Sequence, residues 1–198
     1  MTGPTIKKLP SPVDLPAVAA TGARLLKGIG GSFALIGGVA MQAYGLDRYT
    51  KDVDFAVREA QGAAALAAWT GASHPLRIGG VSLTTDVAAI DLIDRRVHLR
   101  ALFEEAIDAT FRAGFVIEAD GEEIPVVPLE YLVAMKLASP RHKDEVDLDF
   151  LLSRPALDYA KARDIVDRHL SFVTARHLDR LARIAGRTDA RRDYDEEE

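Results

Sequence analysis

The chain has 198 residues, no cysteine and a formal charge of −5. Five negative charges, Asp193, Asp195, Glu196, Glu197 and Glu198, fall at its very end, so residues 1–192 balance at 25 basic and 25 acidic side chains. This composition excludes disulfides, thiolate metal sites and cysteine nucleophiles, and it offers no global basic surplus to attract nucleic acid.

The length suits one domain, or a domain with a small appendage. Such a chain buries roughly two thirds of its unfolded surface and needs no covalent staple. The opening MTGPTIKKLPSPVD is polar and proline-broken, unlike a secretory leader. No apolar run approaches the length of a membrane span. A soluble, cytoplasmic protein with no membrane attachment is expected.

In chain order, Asp14 should cap a helix reaching about Lys27, with Pro16 in its first turn and Gly28, Gly30 and Gly31 ending it. Residues 33–36 read as a buried strand, 39–44 as a short helix and 52–57 as a second strand. The alanine-rich stretch 60–69 is helical, and 76–85 is glycine-broken and β-like. Residues 87–93, VAAIDLI, form a third core strand with Asp91 in its middle. Residues 100–107 read as helix. Phe115, Ile117, Ile124 and Val126 alternate around Asp120-Gly121, a hairpin turn. From Leu129 onward the pattern is helical, over 130–139, 143–152, 158–169 and 172–185. The fold class is therefore α+β, a small mixed sheet with flanking helices followed by a C-terminal helical region packed on the core (129–192) and a frayed acidic tail (193–198).

The densest chemistry lies in FALIGGVAMQAYGLDRYTKDVDFAV, residues 33–57. Asp52 and Asp54 alternate with Val53 and Phe55, so both carboxylates leave one face of their strand. Two carboxylates so placed repel one another unless a hard divalent cation such as Mg2+ lies between them. Gly37 and Gly38 present unhindered backbone N–H groups at the mouth of the next helix, where a phosphate can sit. Glycine there also has a purely steric explanation, since a strand-to-helix turn often requires it. Asp91 stands in an otherwise apolar strand, where an unpaired carboxylate is costly to bury. Asp94 competes with it, but alternation turns Asp94 to the opposite face.

Ile36-Gly37-Gly38, thirteen intervening residues, then Asp52-Val53-Asp54-Phe55 resembles the signature of the DNA polymerase beta-type nucleotidyltransferase superfamily. YGLDRYTKDVDF and the later MKLASPRHKDEVDL make the chain most similar to the bacterial AbiEii-type toxin-related members. The resemblance covers roughly residues 30–152. The core is expected over 1–128, and the resemblance implies a nucleotidyltransferase that moves an NMP from an NTP to a hydroxyl, releasing pyrophosphate. It also implies Mg2+ held by Asp52, Asp54 and Asp91, with Asp91 helping to deprotonate the acceptor. Many superfamily members carry Gly-Ser where this chain, like the AbiEii-type proteins, has Gly-Gly, so only backbone contacts to phosphate are implied at Gly37 and Gly38.

The same resemblance places Lys136 at the triphosphate and Arg48, Thr50 and Asp144 among nucleotide-contacting residues. Each has a structural alternative. Lys136 shares a helix face with Leu129, Leu132 and Val133 and could be a stem snorkelling at the rim of the core. Arg48 and Thr50 could order their loop, and Asp144 suits the first turn of its helix as a dipole partner. For the acceptor, Arg176, Arg180, Arg183 and Arg187 recur at helical spacing, and residues 154–192 carry ten basic against five acidic side chains. That stripe could track RNA phosphates or be a solvated helix face. An RNA acceptor such as a tRNA end, and a toxin role with an antitoxin partner, are implied by the family. The rival readings are an antibiotic-modifying nucleotidyltransferase and an antitoxin or interaction protein that engages a protein partner.

Overall fold

The computed structural model describes residues 14–47, 49–95, 99–113, 115–138 and 142–190, with side chains from 145 onward in the last stretch. The chain forms two compact units, Met1–Pro128 and Leu129–Glu198. The acidic end, 193–198, lies outside the described residues.

The first unit opens with α1 (Leu15–Ile29), which starts where Asp14 accepts a hydrogen bond from the Ala17 N–H and stops at Gly30. There follow β1 (Ala34–Ile36), α2 (Gly37–Ala43), β2 (Asp52–Ala56), α3 (Glu59–Ala68), β3 (Ser73–Pro75), β4 (Val81–Thr84), β5 (Ala89–Ile93), α4 (Arg100–Ala113), β6 (Val116–Ala119) and β7 (Glu122–Pro125). Five strands make a mixed sheet in the order β1-β2-β5-β4-β3. The β2–β5 pair is parallel and its neighbours on both sides are antiparallel. β6 and β7 form a separate hairpin, in which Asp120 and Gly121 both have positive φ, as a two-residue turn of the primed type requires.

One sheet face carries Val53, Phe55, Leu83, Ile90 and Leu92, all without solvent exposure. α1 lies against it so closely that a Cβ at Gly22 would be 2.6 Å from Phe55 Cε2. The sheet therefore has an apolar side fixed by packing, and its other side is left for polar groups.

Two elements differ from the sequence expectation for identifiable reasons. The segment 76–85 contains only half of a hairpin, because β3 begins earlier, at Ser73, and the glycines that blur the pattern belong to the turn. Gly80, at φ +101, passes so near β5 that a Cβ would fall 1.9 Å from the Leu92 carbonyl oxygen. α4 runs to Ala113, well past 107, since Ala109 and Thr110 continue its buried face.

The second unit comprises α5 (Leu129–Leu137), α6 (His142–Leu152), α7 (Tyr159–His169) and α8 (Phe172–Ile184). Asp158 and Ser171 cap α7 and α8 by accepting from the N–H groups of Lys161 and Thr174, each at 3.0 Å. A buried polar network joins them. Tyr159 donates its hydroxyl to Asp179 at 2.5 Å, and Arg163 Nε donates to the other Asp179 oxygen at 3.3 Å. Burial first, and then the bond to Asp179, push the Tyr159 hydroxyl far above its ordinary pKa.

Arg187 donates to the carbonyls of Leu152, Arg154 and Leu157 and to both Asp189 oxygens. Its guanidinium is thereby committed to closing the helical unit and does not join an outward arginine stripe. Of the four arginines at helical spacing, Arg176 and Arg180 are exposed and Arg183 is half-buried.

Asp179→Leu should cost about 3 kcal/mol, because it leaves the buried Arg163 with only the more exposed Asp167, at 3.7 Å, and leaves the Tyr159 hydroxyl without its acceptor. Tyr159→Phe removes one donor from a buried carboxylate that keeps its Arg163 partner and should cost about 1.5–2 kcal/mol. Urea unfolding midpoints measured at constant m value check both; equal losses would mean that the charge on Arg163 is already solvated.

Candidate active site

The strand register brings the carboxylates to one face. Asp54 pairs with Asp91 and Asp52 with Ala89 across the parallel β2–β5 ladder. Because directly opposed residues share a face, Asp52, Asp54 and Asp91 all project away from the buried Phe55 and Ile90 side. The Asp52 charge is close enough to help raise the Asp91 pKa. Asp94 lies just beyond β5, where it lines a separate pocket of about 240 Å³ with Gly62, Leu66, Pro75 and Val81. It does not belong to the Asp52–Asp54–Asp91 face.

The two glycines and Thr50 fit against these carboxylates. Gly37 has φ +65, and a Cβ there would lie 2.0 Å from Asp54 Oδ2, so any other residue would displace that oxygen. A Cβ at Gly38 would lie 2.6 Å from Thr50 Oγ1. The threonine side chain fills the space that a serine at 38 would need, which gives a steric reason for Gly-Gly in this chain. Thr50 is buried and donates its hydroxyl to Asp52 Oδ1 at 3.0 Å. Its observed contact is thus with a site carboxylate.

Asp91 has its own hydroxyl partner, Ser82 on β4, which donates to Asp91 Oδ1 at 2.6 Å. Partial burial raises the Asp91 pKa above the ordinary carboxylate value. The Ser82 bond opposes that shift, the Asp52 charge adds to it and His74 opposes it. Ser82 and His74 escaped the sequence reading. Their only signal was the alternation within VSLT, and the hairpin that sets their register was hidden by its glycines.

Carboxylate oxygens are the donors that a hard divalent cation takes, so the chemistry of the three side chains fits Mg2+. As placed, no three acidic or histidine side chains among the described residues stand close enough together to enclose an ion. Asp52 and Asp91 each have one oxygen engaged by a protein hydroxyl.

Lys136 belongs to the second unit, where its Nζ lies 2.5 Å from Asp147 Oδ2. Both side chains are largely buried, at 12% and 2% exposure. Asp147 is thus the charge partner that holds this lysine among apolar neighbours, a pairing that sequence spacing did not reveal. Arg48 lies outside the described residues, as does the side chain of Asp144.

A mixed five-stranded sheet with three carboxylates on one face and the glycine-led α2 packed beside them defines a nucleotidyltransferase-like α+β fold. The family model described as "Nucleotidyl transferase AbiEii toxin, Type IV TA system" matches residues 24–197, so the chain belongs to the AbiEii family and is a nucleotidyltransferase. Among solved structures it is similar to an antigenic nucleotidyltransferase-like protein from Paracoccidioides brasiliensis, at 12% identity and a TM-score of 0.51, covering 86% of this chain and 92% of that one. It is also similar to a candidate nucleotidyltransferase from H. pylori, at 15% identity and a TM-score of 0.43, covering 87% and 94%. No curated protein matches the sequence. Among the described residues no helix is long and apolar enough to cross a membrane.

The raised pKa of Asp91 carries a stability consequence. A carboxyl that holds its proton more tightly in the fold contributes most below its unfolded pKa, and the contribution is lost as pH rises through the folded value. Asp91→Asn should therefore raise the melting temperature at pH 7 in chelator-treated buffer, and the gain should vanish as pH falls below about 4. Thermal scans from pH 3.5 to 8 check this; a destabilised variant at neutral pH would contradict the sign.

Proposed function

We propose that this nucleotidyltransferase moves a nucleoside monophosphate from an NTP to a hydroxyl, releasing pyrophosphate, and that the acceptor hydroxyl belongs to RNA. The observation that carries the chemical part is the common face of Asp52, Asp54 and Asp91, with Gly37 packed against the Asp54 carboxylate. Asp52 and Asp54, with Asp91, would hold Mg2+, which when bound offsets charge on the triphosphate and at the α-phosphorus.

The protein groups have separate tasks. Thr50 fixes the Asp52 carboxylate by its hydrogen bond. Asp91, whose pKa is already raised by burial, takes the proton of the attacking hydroxyl. The backbone N–H groups of Gly37 and Gly38 meet phosphate oxygens, and Lys136, held by Asp147, meets the β and γ groups. Arg48 and Asp144 complete the nucleotide contacts in this reading.

For the acceptor, support comes from Arg176 and Arg180, exposed on α8. Phosphate contacts of that kind would make binding fall steeply with salt. The toxin family supports an action on the host, restrained by an antitoxin.

Incubation of the purified protein with each labelled NTP, Mg2+ and total RNA tests the reaction. Asp54→Asn should abolish transfer while leaving the melting temperature at or above that of the parent. Lys136→Ala should weaken NTP binding about ten- to a hundredfold, the worth of one charge-assisted contact, and NMP binding far less. Equal losses for NTP and NMP would return Lys136 to a structural role.

The acceptor half is tested separately. Replacing Arg176 and Arg180 together with Glu should abolish RNA labelling and leave NTP binding intact. Undiminished labelling by the double variant would remove α8 from the reaction. Label appearing in the protein itself, with none in RNA, would refute the RNA acceptor.

A further inference from the structure

Four of the five sheet strands contribute to one line of polar residues at a single register: Asp54 on β2, Asp91 on β5, Ser82 on β4 and His74 on β3. Opposed residues in a ladder share a face, so this line crosses the carboxylate side of the sheet. Ser82 is the buried member, at 2% exposure, while Val81 and Leu83 on either side of it point into the apolar core. A hydroxyl sealed from water needs a partner. Its partner is Asp91 Oδ1, at 2.6 Å, the length of a strong bond from hydroxyl to carboxylate.

That bond occupies one Asp91 oxygen and fixes the plane of the carboxylate, leaving the second oxygen with a defined direction. Asp91 lies on the central strand of the sheet, between Asp54 on β2 and Ser82 on β4, so loss of the Ser82 bond would release its carboxylate to turn about χ2. We propose that Ser82 is the positioning residue of the reaction: by holding Asp91 Oδ1 it aims Oδ2 at the acceptor hydroxyl. This rests on the role assigned to Asp91 under Proposed function. Ser82 itself touches neither nucleotide nor acceptor.

Ser82→Ala keeps the size and strand preference of the site and removes only the donor. It should lower kcat for nucleotide transfer about tenfold and leave the NTP KM unchanged, with a lower melting temperature at neutral pH because a half-buried carboxylate loses its donor. Ser82→Thr, which restores a hydroxyl on a strand-compatible side chain, should recover most of that loss. In an Asp91→Asn background, Ser82→Ala should cause no further loss, because residues acting as one unit are non-additive. Full activity in Ser82→Ala would overturn the proposal. So would a rise in the NTP KM that matches the fall in kcat, or a loss that persists undiminished in the Asp91→Asn background. Absence of transfer by the parent protein with every NTP would overturn the functional reading itself, whereas transfer that needs Asp54 and ignores Ser82 would overturn only the positioning role.

Discussion

A slip of one residue between β2 and β5 would bring Ile90 or Leu92 opposite Asp54 and drive Asp91 into the core, because strand side chains alternate with a period of two. The register is therefore the constraint on which the carboxylate face depends. It is fixed from the other side of the sheet, where Val53, Phe55, Ile90 and Leu92 are all sealed from solvent and α1 is pressed against them through Gly22. Burial of four large apolar side chains at roughly 1.5–3 kcal/mol each outweighs the repulsion of carboxylates a few ångströms apart across a partly solvated face. The core thus enforces an arrangement that its own polar face resists.

The consequences of that enforcement were partly legible in the sequence. DVDFA and AAIDLI announce two strands whose carboxylates alternate with core residues, and strand periodicity alone sets which way they point. The Gly-Gly turn was legible as a turn, but its closest physical reason was not. Gly37 makes room for the Asp54 carboxylate and Gly38 makes room for Thr50, contacts between segments a dozen or more residues apart. No local pattern encodes such distances. The same holds for Ser82 and His74, whose place beside Asp91 depends on a hairpin broken by glycines at its turn.

The helical unit shows the opposite limit. Its helices follow from spacing and capping residues, Asp158 and Ser171 above all, but charge patterning misled. An arginine at every third or fourth position suggested one solvent-facing stripe, yet Arg187 caps three carbonyls and pairs with Asp189. Past the end of α8 the chain turns, and helical periodicity no longer states where a side chain points. Arg163 makes the same point inside a helix: it is 9% exposed and bonded to Asp179. One arginine thus satisfies carbonyls that the helix ends leave open and the other neutralises a buried carboxylate.

Lys136 and Asp147 bring the two themes together. A lysine among Leu129, Leu132 and Val133 looks from sequence like a charge without a place, and burial with a carboxylate at 2.5 Å gives it one. A buried pair of this kind contributes little net stability, since desolvation of both ions consumes most of their attraction. Its use is better sought in position. Under the proposed role of Lys136, an ammonium already held at one point by a buried carboxylate would need less ordering on meeting a phosphate, so less of that contact would be lost to entropy. Thr50 and Ser82 do the same for Asp52 and Asp91 with neutral donors. In each pair one side chain fixes the direction of another, and the sequence names Lys136, Asp52 and Asp91 far more readily than Asp147, Thr50 and Ser82, which hold them.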